Sequence, residues 1–213
     1  MKKDIEKDLL EIARREFYEK GFKGTSMRHI ARLAEIAFSN IYYYYESKDA
    51  LFLEVVKPLK ARLDKMYGAW DDIDAIPVSP DAYIDEQWQQ QSVKVLMELT
   101  LQYKQEFNLL LFNAHGSALE HIDKTYIDSA TQSNVAYIRK LSAQYPELNI
   151  QMSEQFIRTM SAHTFTIIGE IVSQDLNEAQ IKNFMQDFVV FNTSGWKGLL
   201  YKNTFKKELA NVV

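Results

Sequence analysis

Residues 25–45 read TSMRHIARLAEIAFSNIYYYY. Met27, Ile30, Ala31 and Ala34 recur at helical spacing, so a short helix with one apolar stripe is expected, capped by Thr25 or Ser26. A break of about three residues follows, with Ile36 as its apolar plug. A second short helix over roughly residues 38–44 turns Ile41 and Tyr45 inward. That leaves Phe38, Ser39, Asn40, Tyr42, Tyr43 and Tyr44 facing outward or sideways. One short brace, a tight turn, and a second helix anchored inward with polar and planar groups outward are what a DNA-reading helix-turn-helix requires.

Working outward, Ile5, Leu9, Ile12, Ala13 and Phe17 fall on one face of a preceding helix that stops at Lys20-Gly21. Downstream, Ser47 caps a fourth helix with the stripe Leu51, Phe52, Val55, Val56, Leu59, Leu63 and Met66. Pro58 interrupts that pattern, and because the stripe continues past it, a kink near Lys57 is expected rather than a stop. Residues 68–80, GAWDDIDAIPVSP, form the clearest loop. Five further helices are expected near 81–104, 106–115, 118–144, 151–174 and 177–203, with Pro146 and Asn149, then Asp175 and Asn177, at the breaks. The fold class is all-α, with about nine helices. Residues 1–46 are the helix-turn-helix domain, 47–67 a connecting helix, and 68–213 a larger helical domain.

Composition narrows the function. The chain has 213 residues and no cysteine, which excludes zinc fingers, iron–sulfur clusters and thiol nucleophiles and suits a reducing compartment. No apolar run is long enough to span a membrane and the N-terminus lacks a signal-peptide core, so a cytoplasmic protein is expected. Net charge is −4, but residues 1–65 carry 14 Lys/Arg against 11 Asp/Glu, while residues 66–213 carry 11 against 18. A basic head on an acidic body fits a nucleic-acid reader carried by a larger domain. No phosphate loop, dinucleotide fingerprint or serine elbow is present, and none of the four histidines follows a glutamate by three residues, as a di-iron bundle needs. An enzyme is therefore not expected, nor is a cofactor or metal.

The stretch from about residue 9 to 56 resembles the N-terminal domain of the tetracycline-repressor (TetR) family. The resemblance rests on Phe17, Gly21-Phe22, Thr25-Ser26, Ile30-Ala31, Ala34, Ile41-Tyr42-Tyr43-Tyr44-Tyr45, Ser47-Lys48 and Leu51-Phe52 at the family's spacing. It covers about a quarter of the chain. Each matched residue has a physical reading. Thr25 and Ser26 open a helix whose free amides and hydroxyls suit a phosphate. Arg28 reaches phosphate or guanine, and Asn40 pairs with adenine. Tyr42 and Tyr44 hold phosphates, which sets register. Tyr43 packs on a thymine methyl or sugar, and Phe38 on a thymine methyl. The resemblance aims Lys48 at phosphate. Two residues depart from the pattern: Glu35 stands where the family has a turn glycine, and Ala37 where it has a capping hydroxyl. Ser39 is then a candidate cap for a shortened recognition helix.

The resemblance implies that the body dimerises and holds a small-molecule pocket, so that a ligand-released repressor reads a palindromic operator as a homodimer. Phe156, Ile157, Met160, Thr164, Ile167, Ile168 and Ile171 form one broad stripe; Ile181, Phe184, Met185, Phe188, Trp196 and Leu199 form another, with Gly169 and Gly195 beside them. Stripes this wide serve either a core or a four-helix dimer interface. Interface candidates are Phe156, Met160, Ile167, Ile171, Phe184, Phe188, Gly195 and Trp196. Pocket candidates are Trp88, Met97, Tyr103, Phe107, Phe112, His115, Met160 and His163, and these aromatics suggest an apolar or planar effector. The competing reading is a helical adaptor that docks a protein on its tyrosine-rich head.

Overall fold

The computed structural model describes residues 2–68, 78–148, 150–174 and 176–201, and among these the secondary structure is all helical. Ten α-helices follow in order: α1 (Lys2–Gly24), α2 (Met27–Leu33), α3 (Phe38–Tyr44), α4 (Lys48–Gly68), α5 (Asp81–Ile84), α6 (Glu86–Gln102), α7 (Lys104–Phe112), α8 (Ile122–Gln144), α9 (Glu154–Ser173) and α10 (Glu178–Leu200). A 3₁₀ turn, Pro146–Leu148, separates α8 from α9. None of the described helices is long and apolar enough to cross a membrane.

The chain divides into two compact units. The first comprises Met1–Met66 with Tyr103–Tyr126; the second comprises Tyr67–Gln102 with Ile127–Val213. Residues 103–126 were expected in the body but cluster with the head. Within the first unit, Leu9, Ala13 and Phe17 of α1 are fully buried, as are Ile30, Ile41, Leu51, Phe52, Val56 and Leu59. Gly21 takes φ 68°, ψ 170° inside the span of α1, a conformation that favours glycine. The chain kinks there, and Phe22 comes to lie 5.9 Å from Phe17 and 5.3 Å from Phe52. Phe17 and Phe52 close the triangle edge-to-face at 5.0 Å. The segment after α7 grips this corner: the Asn113 carbonyl accepts from the Phe22 N–H at 2.8 Å, and Asp49 accepts from the Ala118 N–H at 2.7 Å.

Side-chain caps start several of the helices. Ser47 accepts from the Ala50 N–H (3.0 Å), Ser153 from Phe156 (3.2 Å), and Asn177 exchanges a reciprocal capping box with Gln180. The helix expected over 81–104 is two helices. Asp85, extended at ψ 118°, turns its carboxylate onto the Trp88 N–H at 2.7 Å and starts α6 afresh. The helix expected from 118 begins at Ile122, behind a turn in which Gly116 takes φ 84°. Pro58 lies inside an α4 that continues through it. Of the loop expected over 68–80, residues 69–77 lie outside the described residues, as do Asn149, Asp175 and the end of the helix expected to 203.

The second unit has two apolar clusters. One gathers Tyr137, Ile138, Leu141, Leu148, Ile150, Ile157 and Leu200; the other gathers Ile167, Ile171, Ile181 and Met185. Between α5, α6 and α10 runs a satisfied polar chain: the Trp196 indole donates to Asn192 (3.1 Å), the Asn192 amide to Gln89 (3.0 Å), and the Gln89 amide to the Ala82 carbonyl (2.8 Å).

Candidate nucleic-acid interface

The turn between α2 and α3 sets the reading face. Glu35 takes φ 55°, in the left-handed region that favours glycine. The Ile36 N–H donates to the Ala31 carbonyl (3.0 Å) and the Glu35 N–H to the Arg32 carbonyl (3.2 Å). This pair of bonds is a Schellman stop. The turn therefore keeps its left-handed form although a glutamate occupies the strained position. Ala37 is the N-cap of α3 and offers no side-chain bond. Ser39 does not replace it, because α3 already begins at Phe38. Ile41 is fully buried and Tyr45 nearly so, which anchors α3.

The Tyr45 hydroxyl is buried without a hydrogen-bond partner. Burial, with Glu6 and Glu54 nearby, pushes its pKa up to about 12.

Outward from these anchors stand Phe38, Ser39, Asn40, Tyr42 and Tyr43, the last 74% exposed; Tyr44 is half-buried and meets Tyr43 edge-on at 5.7 Å. Ser26 is exposed and makes no side-chain cap. Arg28 is exposed, with its guanidinium carbon 5.1 Å from the centroid of Phe38.

Two expected contacts are turned inward instead. Thr25 is 4% exposed, and its hydroxyl donates to the carbonyls of Gly21 (2.8 Å) and Glu16 (3.0 Å). It secures the end of α1, and a buried hydroxyl so engaged cannot also reach a phosphate. Lys48 donates to the carbonyls of Phe22 (2.8 Å) and Thr25 (3.1 Å), and its ammonium lies 4.2 Å from the Phe22 ring centroid. Two of its three protons are thus spent on backbone carbonyls between the kink at Gly21 and the start of α2. Nearby, buried Glu16 pairs with Lys20 at 2.5 Å and lies 3.5 Å from His29, whose Nδ1 is 2.9 Å from the Arg32 guanidinium.

The expected pocket residues divide between the units. Tyr103, Phe107, Phe112 and His115 fall in the first; Trp88, Met97, Met160 and His163 in the second. Phe107 is closed into its unit's core, whereas Phe112 and Trp88 are 51% and 50% exposed. His115 is exposed and bound to Glu120 at 2.5 Å; the Gly116 N–H and His115 together hold the Glu120 carboxyl below its usual range. Trp88 on α6, Phe112 at the end of α7 and His115 in the turn after it thus face solvent. Met97 packs beside the Ile167–Ile171 cluster, and His163 stands edge-on to Phe188 at 5.6 Å. The second unit instead carries an open groove of about 720 Å³ lined by Ile138, Arg139, Ser142, Ile150, Met152 and Ser153. None of the expected pocket residues lines it.

The interface candidates also separate. Ile167 and Ile171 are buried within their own chain by Ile181 and Met185, so they serve the core and cannot face a partner. Phe156, Met160, Phe188 and Trp196 are half-buried; Phe184 and Gly195 are exposed. A Cβ at Gly195 or Gly198 would meet nothing within 4 Å. The sequence reading missed Val190 and Phe191, which are 63% and 70% exposed. The signal for Phe191 was present, since Phe184, Phe188, Phe191, Gly195 and Gly198 alternate steps of four and three along one face of α10, whereas Val190 lies off that face.

Residues 9–55 match the family model described as bacterial regulatory proteins, tetR family. The transcriptional repressor KstR2 of Rhodococcus jostii is 34% identical over 66 residues, a match spanning 31% of each chain. A TetR-like transcriptional regulator from Rhodococcus sp. RHA1 superposes with a TM-score of 0.58 at 17% identity, covering 90% of this chain and 96% of its own. FadR from Bacillus subtilis, solved in complex with stearoyl-CoA, superposes with a TM-score of 0.52 at 13% identity, covering 88% and 97%. These two likenesses establish the shared fold.

Proposed function

From the match of residues 9–55 to the tetR-family model and the 66-residue likeness to KstR2, we propose that this chain is a TetR-family repressor that binds a palindromic operator as a homodimer and is released by a small-molecule effector. The observation that carries the DNA-reading part is the face of α3. Asn40, Tyr42 and Tyr43 stand in solvent while Ile41 and Tyr45 hold the helix from below and a Schellman stop sets its start. Asn40 supplies the amide that pairs with adenine in the major groove. Tyr42, Tyr44 and Ser26 carry hydroxyls suited to phosphates, which fix register without reading sequence. Thr25 and Lys48 act one layer behind, holding the segment from which α2 starts.

A homodimer follows from the apolar face of α10. Two reading heads must sit about 34–36 Å apart to enter successive major grooves, and a symmetric pair of α10 faces brings two copies together. The effector proposed is apolar or aromatic. An acyl-CoA, the class of ligand that FadR holds in its crystal, is the first compound to test.

The test is fluorescence anisotropy of the purified protein against duplex DNA from upstream of its own gene, at low and moderate salt. Binding that weakens steeply with salt and resists random competitor supports the repressor reading. A head that ignores duplex DNA at low salt but captures a protein partner with little salt dependence would favour the adaptor.

A further inference from the structure

We propose that Phe38 is a positioning residue: it holds the Arg28 guanidinium at the N-terminal end of α3 so that Arg28 reads a guanine. The inference rests on the DNA-reading role proposed above. Phe38 opens the recognition helix with an aromatic ring, and Arg28 sits ten residues earlier, on α2. The left-handed turn at Glu35 brings them together, with the guanidinium carbon 5.1 Å from the ring centroid, inside the range of a cation–π contact. Phe38 is braced in turn by Tyr42, one turn along α3, edge-to-face at 5.3 Å and 78°. Arg28, Phe38 and Tyr42 therefore form a ladder from α2 onto the exposed side of α3.

This ladder decides what each member can do. Phe38 gives a face to Arg28, so it is not the thymine-methyl reader that its exposure suggests. A guanidinium held over a ring by a cation–π contact gives none of its N–H donors to a hydrogen-bond acceptor. The other arginine of α2, Arg32, is engaged by His29. Arg28 makes no hydrogen bond or ion pair within the chain among the described residues, so its donors are unspent. Phe38 draws it toward the N-terminal end of α3, the end whose residues meet base edges when such a helix lies in the major groove. A planar donor pair held there matches the O6 and N7 acceptors of guanine. Holding the side chain in advance removes part of the ordering cost that a free arginine meets on binding.

The experiment is selection from a random duplex library with the full-length protein, comparing wild type, Arg28→Ala, Phe38→Leu and Phe38→Tyr. Arg28→Ala is expected to lose one guanine preference per half-site. Phe38→Leu is expected to weaken the preference at that same base pair about tenfold, and Phe38→Tyr, which keeps the ring, to restore it. In the free protein, Phe38→Leu should also abolish the ring-current shift of the Arg28 side-chain protons, and a melting curve confirms that the variants fold. An unchanged guanine preference in Phe38→Leu overturns the proposal, as does a preference lost at a thymine instead. Arg28→Ala that weakens all duplexes equally overturns it too, making Arg28 a phosphate contact. Wild type that selects no site at all would instead bring down the DNA-reading role on which the proposal stands.

Discussion

On α3 the exposed rings mostly carry hydroxyls and lean on one another: Phe38 on Tyr42, Tyr43 on Tyr44. On α10 the exposed rings are phenylalanines, beside glycines whose missing side chains would meet nothing. Both helices leave aromatic area in water, but the chemistry differs. A surface of hydroxyls, one amide and one arginine can exchange water for phosphates and base edges without stranding polar groups. A surface of Phe184, Val190, Phe191 and glycine offers only area, which gains most against another apolar surface. Exposure alone therefore does not say what a helix face is for; the polar atoms on it do.

The comparison breaks most visibly on α10. Phe191→Asp is expected to raise the dimer dissociation constant at least hundredfold, about 3 kcal/mol, as for a central apolar anchor, read by sedimentation equilibrium. A wild type that sediments as a monomer at micromolar concentration removes the apolar face from the comparison. On α3, Asn40→Ala is expected to relax the preference at one base pair by about tenfold or more, whereas Tyr42→Phe should weaken all duplexes alike. An unchanged preferred site in Asn40→Ala would return that residue to the solvent.

Smaller effects sharpen the boundary between outward and inward polar groups. Thr25→Val is expected to cost about 1–2 kcal/mol of head stability in urea, for one engaged buried hydroxyl, and to leave the salt slope of DNA binding unchanged. A shallower slope would mean that Thr25 meets phosphate after all. Glu35→Gly is expected to add about 1 kcal/mol by relieving the left-handed backbone, with the DNA preference kept.

Tyr45→Phe is expected to stabilise by about 1 kcal/mol, because it removes a buried hydroxyl that has no partner. It also predicts a pH effect. The folded Tyr45 holds its proton to about pH 12, against an ordinary pKa of 10.0. Its contribution to stability is thus complete below pH 10 and is lost as pH rises toward 12. Tyr67, raised by burial to about the same value, acts in the same window. Tyr45→Phe should therefore retain more of its stability between those limits, measured as melting temperature against pH.

Much of this was legible from residues that act on near neighbours. Gly21 stops a helix because it can take positive φ; Ser47 and Asn177 start helices because their side chains reach amides three residues on. The spacing of Met27, Ile30, Ala31 and Ile41 already specified two short helices with one buried side. Even the strain at Glu35 follows from its place in the turn. Asp85 could have been read as a cap within the helix expected over 81–104, since the same rule applies to it.

Other features depend on what packs from far along the chain. Thr25 and Lys48 face inward because carbonyls around the kink at Gly21 accept from them, and no spacing rule shows where those carbonyls point. Residues 103–126 join the head because Asn113 and Ala118 complete hydrogen bonds with Phe22 and Asp49, which lie 91 and 69 positions away. The stripes of α9 and α10 are too broad to say which part is covered. Sequence periodicity determined that both helices carry apolar faces. Only the tertiary structure decided that Ile167 and Ile171 are enclosed while Phe191 stays in water, because burial belongs to the neighbour that arrives and not to the residue that waits.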